Sequence, residues 1–310
     1  MEKQSTHESV MLQEAVAGLA VQPNGIYIDA TYGRGGHSQA ILRLLGANGQ
    51  LISIDKDPEA IEDAQARFAD DSRIKVFHRS FADISDVAKS EQVCGSVNGI
   101  LFDLGVSSPH LDEARRGFSF SREGPLDMRM DTSSGITAAE WLAQVSESEL
   151  TAVLRDYGEE RYARRIAAAV IAARQQQPID TTKRLATIIS AAVPSRERHK
   201  HPATRSFQAI RIYINQELEE LKASLEQVLD VLAVGGRLVA ISFHSLEDRI
   251  VKQFIQRHTG QQNLPRHLPI QHHQIAQRLQ KVGRYVANEQ EVEANPRARS
   301  AVCRVAEKLQ

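Results

Sequence analysis

Apolar residues in this chain come first in short bursts that end in an acid, then at helical spacing, then in bursts again. Ile26-Tyr27-Ile28 runs into Asp29, Gln50-Leu51-Ile52-Ser53-Ile54 into Asp55, and Val97 to Phe102 into Asp103. Short apolar runs rich in β-branched residues, with turn residues behind them, predict buried strands. Arg73 to His78 predicts a further strand. Between the bursts the pattern is helical. Gln39 to Leu45 follows the glycine-rich stretch Ala30 to Ser38, and a second helix runs to Phe68 with Asp57 as its cap and Pro58 at its first position. Strand and helix in alternation predict an α/β fold with a parallel, doubly wound sheet.

From His110 to Asp131 the pattern breaks into polar, glycine-punctuated sequence. Helices follow: Thr137 to Gln144, which carries the only tryptophan, Trp141; a helix to Asp156 opened by a Ser146/Glu149 capping box; Glu159 to Arg174; and Thr181 to Ala192, closed by Pro194. Ala203 to Ala233 predicts one long amphipathic helix, started near Pro202 and stopped by Gly235-Gly236. Arg237 to His244 is a strand, Glu247 to Arg257 a helix, Thr259 to Tyr285 a mobile loop, and Arg299 to Val305 a last strand. The α/β domain is thus expected over 1–110 and 203–310, with an all-helical insertion at 111–202.

The acids at the strand ends suggest chemistry. In a parallel sheet such ends line one crevice, so Asp29, Asp55 and Asp103 meet there. The turn after the first strand reads Gly33-Arg34-Gly35-Gly36, which is neither G-x-G-x-x-G nor a triphosphate cradle. A tight strand-to-helix connection explains the glycines equally well. Asp55 follows about 20 residues later, where an acid accepts hydrogen bonds from ribose hydroxyls. Phe81, just past a strand end, is placed either to cover a purine or to fill the core.

Composition narrows the class. Net charge is −1 over 310 residues, and no apolar run is long enough to span a membrane. The N-terminus lacks the apolar core of a signal peptide. Cys94 and Cys303 stand alone, which suggests a reducing, cytoplasmic setting. Between Arg155 and Arg211 lie 12 Lys/Arg against 5 acids, a local excess suited to a polyanion. Aromatics are sparse there, so phosphate contact is expected more than base stacking. His199, His201, His267, His272 and His273 have no carboxylate or cysteine at ligand spacing, and no metal is expected.

Longer strings resemble one family. They are Asp29 to Ser38, Asp103 to Pro109, Arg116 to Phe120, Gly124 to Asp131, His201 to Arg211, Ile241 to Arg249 and Asn295 to Ser300. They are similar to the MraW family of bacterial small-subunit ribosomal RNA methyltransferases, over essentially the whole chain outside Gln261 to Val282. The resemblance implies a Rossmann-like methyltransferase sheet with an antiparallel last strand. It implies S-adenosylmethionine as cofactor and methyl transfer to N4 of a cytidine in the decoding region of small-subunit rRNA, within a 30S particle. It places Gly35, Gly36, His37, Asp55, Phe81, Asp103 and His110 at the cofactor. Asp103 is the candidate for catalysis, although the chain has Asp103-Leu104-Gly105-Val106 where many amino-methyltransferases carry an Asp/Asn/Ser-Pro-Pro-aromatic string. Asp127, Arg129, Arg205, Arg211 and His244 are the candidates for substrate contact. A non-catalytic RNA binder on the same fold is the alternative. Oligomeric state is left open, a homodimer being one arrangement it allows.

Overall fold

The computed structural model describes residues 9–194, 201–260 and 277–310. In chain order the elements are α1 (Leu12–Leu19), β1 (Ile26–Asp29), α2 (Gly36–Leu44), β2 (Gln50–Asp55), α3 (Pro58–Arg67), β3 (Ile74–His78), α4 (Ile84–Ser90) and β4 (Val97–Asp103). Next come α5 (Ser108–Asp112), α6 (Ala138–Gln144), α7 (Glu147–Asp156), α8 (Ala163–Gln176), α9 (Thr182–Ala192) and α10 (Thr204–Ile214). The chain closes with α11 (Glu217–Val231), β5 (Leu232–Ser242), α12 (Ser245–His258), β6 (Leu279–Val286), α13 (Glu289–Ala294) and β7 (Val302–Lys308).

These elements divide into two compact units, 1–105 with 218–310, and 106–217. The first unit carries a seven-stranded sheet of order β3-β2-β1-β4-β5-β7-β6. Strands β1 to β5 pair in parallel, with Ile28 beside Ile52 on one side and Ile100 on the other. β7 runs antiparallel to both β5 and β6. The α/β class and the antiparallel last strand are therefore as expected. Both faces of the sheet are covered, which is why its strands read as continuous apolar bursts. Ile28, Ile52, Ile54, Ile100 and Phe102 pack with α4, α11 and α12. Their neighbours Tyr27, Leu51, Leu101, Val239 and Ile241 pack on the opposite side with α1 and α2.

Four local expectations are corrected. The helix expected over Ala203 to Ala233 is two helices, α10 and α11, separated at Asn215 and Gln216, whose φ is 52°. Gly235-Gly236 lies inside β5, because α11 already ends at Val231. Part of the loop expected over Thr259 to Tyr285 is the edge strand β6; residues 261–276 of that span lie outside the described residues. The last strand starts at Val302 instead of Arg299, which sits in a tight turn over Pro296–Ser300. An exposed edge strand such as β6 buries few side chains, so its sequence lacks the apolar alternation that marks the central strands. The division between units also falls at 105/106 and 217/218, not at 110/111 and 202/203, since α10 packs with α6 and α7.

The second unit is built from α5 to α10 around its own core, which includes Leu126, Met128, Trp141, Leu150, Ile166, Leu185 and Phe207. Thr137 and Glu140 form a capping box on α6, and Ser146 accepts from the Glu149 backbone N–H at the start of α7. No helix among the described residues is long and apolar enough to cross a membrane.

Candidate active site

In an open parallel sheet the ligand crevice lies at the carboxyl ends of the strands, where the strand order reverses. Here the chain lays β2 and β3 to one side of β1, then β4 and β5 to the other, so the reversal falls between β1 and β4. Those two strands end in Asp29 and Asp103. A cleft of about 710 Å³ at residues 45–47 and 66–73 lies on the opposite edge, where the chain enters β2 and β3, and has no part in this site.

The glycine-rich turn is fixed from three strands. Ala30 N–H donates to the Leu101 carbonyl (2.9 Å) and Tyr32 N–H to the Ile54 carbonyl (3.0 Å). Asp55 accepts from the backbone N–H of Gly33 (2.7 Å) and of Asp57 (2.9 Å), joining the turn to the start of α3. Gly35 has φ of 69° and leads directly into α2, which therefore starts at Gly36 rather than at Gln39. A Cβ at Gly35 would lie 2.5 Å from the Tyr32 hydroxyl. That hydroxyl donates to Asp63 (2.8 Å), so the ring is tethered. Gly35 is thus required both by its left-handed backbone and by its neighbour.

The strand-end acids have different surroundings. Asp29 is fully buried and accepts from Ser38 Oγ (2.7 Å) and Thr31 N–H (3.3 Å). Ser38 Oγ lies 2.9 Å from Ser53 Oγ, which carries the link to β2. Burial outweighs these bonds and pushes the Asp29 carboxyl up to about 7. Asp103 is held by its backbone, whose N–H donates to Thr31 Oγ1 (2.7 Å). Its Oδ2 lies 3.6 Å from His37 Nδ1, and its buried Oδ1 has no hydrogen-bond partner among the described residues. Burial, then Asp29 and Glu247, hold the Asp103 carboxyl well above the usual carboxylate range. His37, in the first turn of α2, is 4% exposed, and its Nε2 also lacks a partner among the described residues. Burial pushes its ring down to about 4, against a hydrogen bond to the Val10 backbone.

Phe81 follows β3 in a short turn capped by Ser80. It packs edge-on against Phe102, with ring centroids 5.8 Å apart and planes at 88°, and is half-buried. At the end of β5, His244 caps α12 in a box with Glu247. Glu247 Oε2 accepts from Phe243 N–H (2.8 Å) and His244 N–H (3.2 Å), while Oε1 lies 3.1 Å from His244 Nε2. The Glu247 side chain is buried, and a Cβ at Gly105 would lie 3.9 Å from its Oε1. This brings a third carboxylate to the edge that holds Asp29 and Asp103. Glu247 was not among the expected site residues. The signal for it was an acid three residues after the residue that caps a helix.

The remaining candidates belong to the second unit. His110 stacks on Phe118 (4.7 Å, 28°) and its Nδ1 accepts from Ser107 N–H (3.2 Å), capping α5. Arg129 grips Asp127 through two parallel bonds of 2.8 and 2.9 Å and donates to the Ser134 carbonyl (3.2 Å). Arg211 grips Glu217 in the same way at 2.8 and 2.9 Å, with both side chains largely buried. Arg205 donates to the Glu159 carbonyl (3.1 Å). Asp127 and Arg129 therefore act as one rigid fork. His201 stacks on Phe120 (4.4 Å), and His199, His267, His272 and His273 lie outside the described residues.

The first unit thus gathers Gly35, Gly36, His37, Asp55, Phe81, Asp103 and His244 along one strand edge. Such a site is rich in acceptors and suits a ligand that brings hydroxyls, an aromatic ring and positive charge. Comparison with known proteins agrees in detail. The chain is 55% identical over 305 residues to the ribosomal RNA small subunit methyltransferase H of Thioalkalivibrio sulfidiphilus, covering 98% of this chain and 97% of that protein. It is 53% identical to the protein of the same name from Nitrosospira multiformis, covering 100% and 99%, and 51% identical to that from Pseudoalteromonas atlantica, covering 100% of both. The profile of the MraW methylase family matches residues 4–309, and the chain belongs to that family.

Proposed function

We propose that this protein transfers a methyl group from S-adenosylmethionine to N4 of a cytidine in the decoding region of small-subunit ribosomal RNA. Three relatives that match it end to end carry the name of a small-subunit rRNA methyltransferase. S-adenosylmethionine is the methyl donor; when bound, it supplies an electrophilic methyl on a positively charged sulfur. The acceptor set at the strand edge fits it. An ionised carboxylate has about four acceptor sites, so Asp55 can hold the turn and a ribose diol together. Phe81 would flank the adenine, and the turn Gly35-Gly36-His37 would follow the rest of the nucleoside. The assignment of His110 to the cofactor rests on the family resemblance.

The observation that carries the catalytic reading is the buried, unpartnered Oδ1 of Asp103. The exocyclic amine of cytosine is a weak nucleophile because its lone pair is delocalised into the ring. As the nitrogen takes up the methyl it becomes positive, and it must then lose a proton. An acceptor held at the strand end strengthens as that charge develops, which is where electrostatic catalysis acts. A carboxyl whose pKa is raised is also well matched to receive the proton near neutral pH. Asp103 is therefore assigned to accept an amine hydrogen bond and then the proton. The rest of the work is positioning. The second unit, with Arg129 and Arg205 as phosphate or base contacts, is assigned to RNA. The target base must leave its stack to reach the donor. Arg211, closed onto Glu217, is assigned to that unit's framework and reaches RNA only if that pair opens. His244 is assigned a place beside the acceptor base.

The test is transfer of labelled methyl to small subunits from cells lacking this protein, followed by mass mapping of the rRNA. Label on N4 of one cytidine is expected. Asp103→Asn is expected to lower kcat by at least about 100-fold with the fold intact. Label on a ring atom, or undiminished transfer by the variant, would overturn the assignment.

A further inference from the structure

Asp29 from β1, Asp103 from β4 and Glu247 from α12 bring three carboxylates to one edge. The charges acting on Asp103 are those of Asp29 and Glu247; no lysine or arginine acts on it among the described residues. Asp55, at the end of β2, adds its own field to Asp29. The other titratable groups around the cluster carry no positive charge at neutral pH to offset it. His37, from α2, is neutral there, and Cys303, from β7, has its thiol pushed up to about 12 by burial. His244 faces Glu247 from the β5–α12 turn. Two buried polar atoms at this edge, Asp103 Oδ1 and His37 Nε2, have no partner among the described residues, and the His37 side chain is 4% exposed. A buried set of acids without a cation is stable only while it keeps protons or gains positive charge from outside.

We propose that this cluster reads the charge of its ligand: it binds the sulfonium donor with release of one proton and holds the uncharged thioether product without that exchange. The inference rests on S-adenosylmethionine being the donor. It closes as a cycle. With no ligand bound, Asp103 keeps its proton. The arriving cation favours the carboxylate, and the proton leaves to solvent. On transfer the carbon–sulfur bond breaks, its electron pair stays on sulfur, and the carbon–nitrogen bond forms. Positive charge passes to the amine, whose proton then goes to Asp103. The thioether now faces a neutral carboxyl, so the attraction that held the donor is gone and product leaves.

Calorimetric titration of the full-length protein tests this with S-adenosylmethionine and S-adenosylhomocysteine, in buffers of small and large ionisation enthalpy. About one proton released with the first and none with the second is expected. Affinity for the sulfonium should rise by up to about tenfold per pH unit below the titration of Asp103, and affinity for the thioether should stay flat. In Asp103→Asn both differences should vanish. Because the proton counts are read on the unaltered protein, they stand even if the variant misfolds. Equal proton counts, or an affinity ratio that ignores pH, would overturn the inference and leave the donor assignment standing. Binding of neither compound to folded protein would overturn both.

Discussion

Two buried residues at the strand edge carry opposing pH dependences. Asp29 titrates at about 7 in the folded protein, against an ordinary value of 3.8. Between those values the unfolded chain gives up the proton and the folded protein keeps it. Asp29 therefore stabilises the fold at low pH, and that contribution is lost as pH rises through about 7. His37 is depressed from 6.5 to about 4, so on acidification the unfolded chain takes a proton that the folded protein refuses. Its contribution is lost as pH falls through that range. Each slope is at most about 1.4 kcal/mol per pH unit, and the two offset each other between about pH 4 and 6.5. His37→Asn should leave a stability that falls as pH rises, and Asp29→Asn one that rises. Urea denaturation across that range reads both, and parallel curves would show that neither group titrates in this way. The acids themselves were legible in the sequence as strand ends. Their unequal burial was not, because it depends on Ser38, Val10 and Glu247, which lie far from them in the chain.

At the scale of elements, two features of the second unit separate framework from RNA contact. Arg211 ends α10 on Glu217, the first residue of α11, and Glu217 is buried. Arg211→Ala leaves that carboxylate without its guanidinium and should cost about 3 kcal/mol of stability by urea denaturation. Arg205→Ala should instead weaken RNA binding with little change in stability; the reverse pattern would exchange their roles. Gly117 turns at φ of 76°, and a Cβ there would lie 2.4 Å from the Pro125 carbonyl oxygen and 2.5 Å from the Asp127 nitrogen. Neither backbone atom can step aside, so Gly117→Ala should lower the thermal midpoint and disturb the Asp127–Arg129 fork. A variant as stable as the parent would show that the fork is not built on this turn. The break at Asn215 explains why a single helix was expected from sequence. The amphipathic pattern runs on through it, but Asn215 donates to the Met128 and Arg211 carbonyls and accepts from Met130 N–H. Bonds to a distant loop outweigh local helical preference there.

At the scale of the whole molecule, a net charge of −1 conceals an excess of 7 positive charges between Arg155 and Arg211. If that span meets phosphates, affinity for small-subunit rRNA should fall steeply and log-linearly with salt between about 50 and 200 mM, as counterion release requires. A flat response in filter binding would make the span ordinary surface. The sequence by itself determined the central strands, the acid at the end of each, the glycine turn and the family, because each is written in adjacent residues or in strings that match without folding. The tertiary structure alone decided that β6 is a strand, that Asp29 serves the turn, that Arg211 is closed onto Glu217, and that Glu247 joins the site. Each of those depends on which distant groups share one buried volume, and burial is set by neighbours in space.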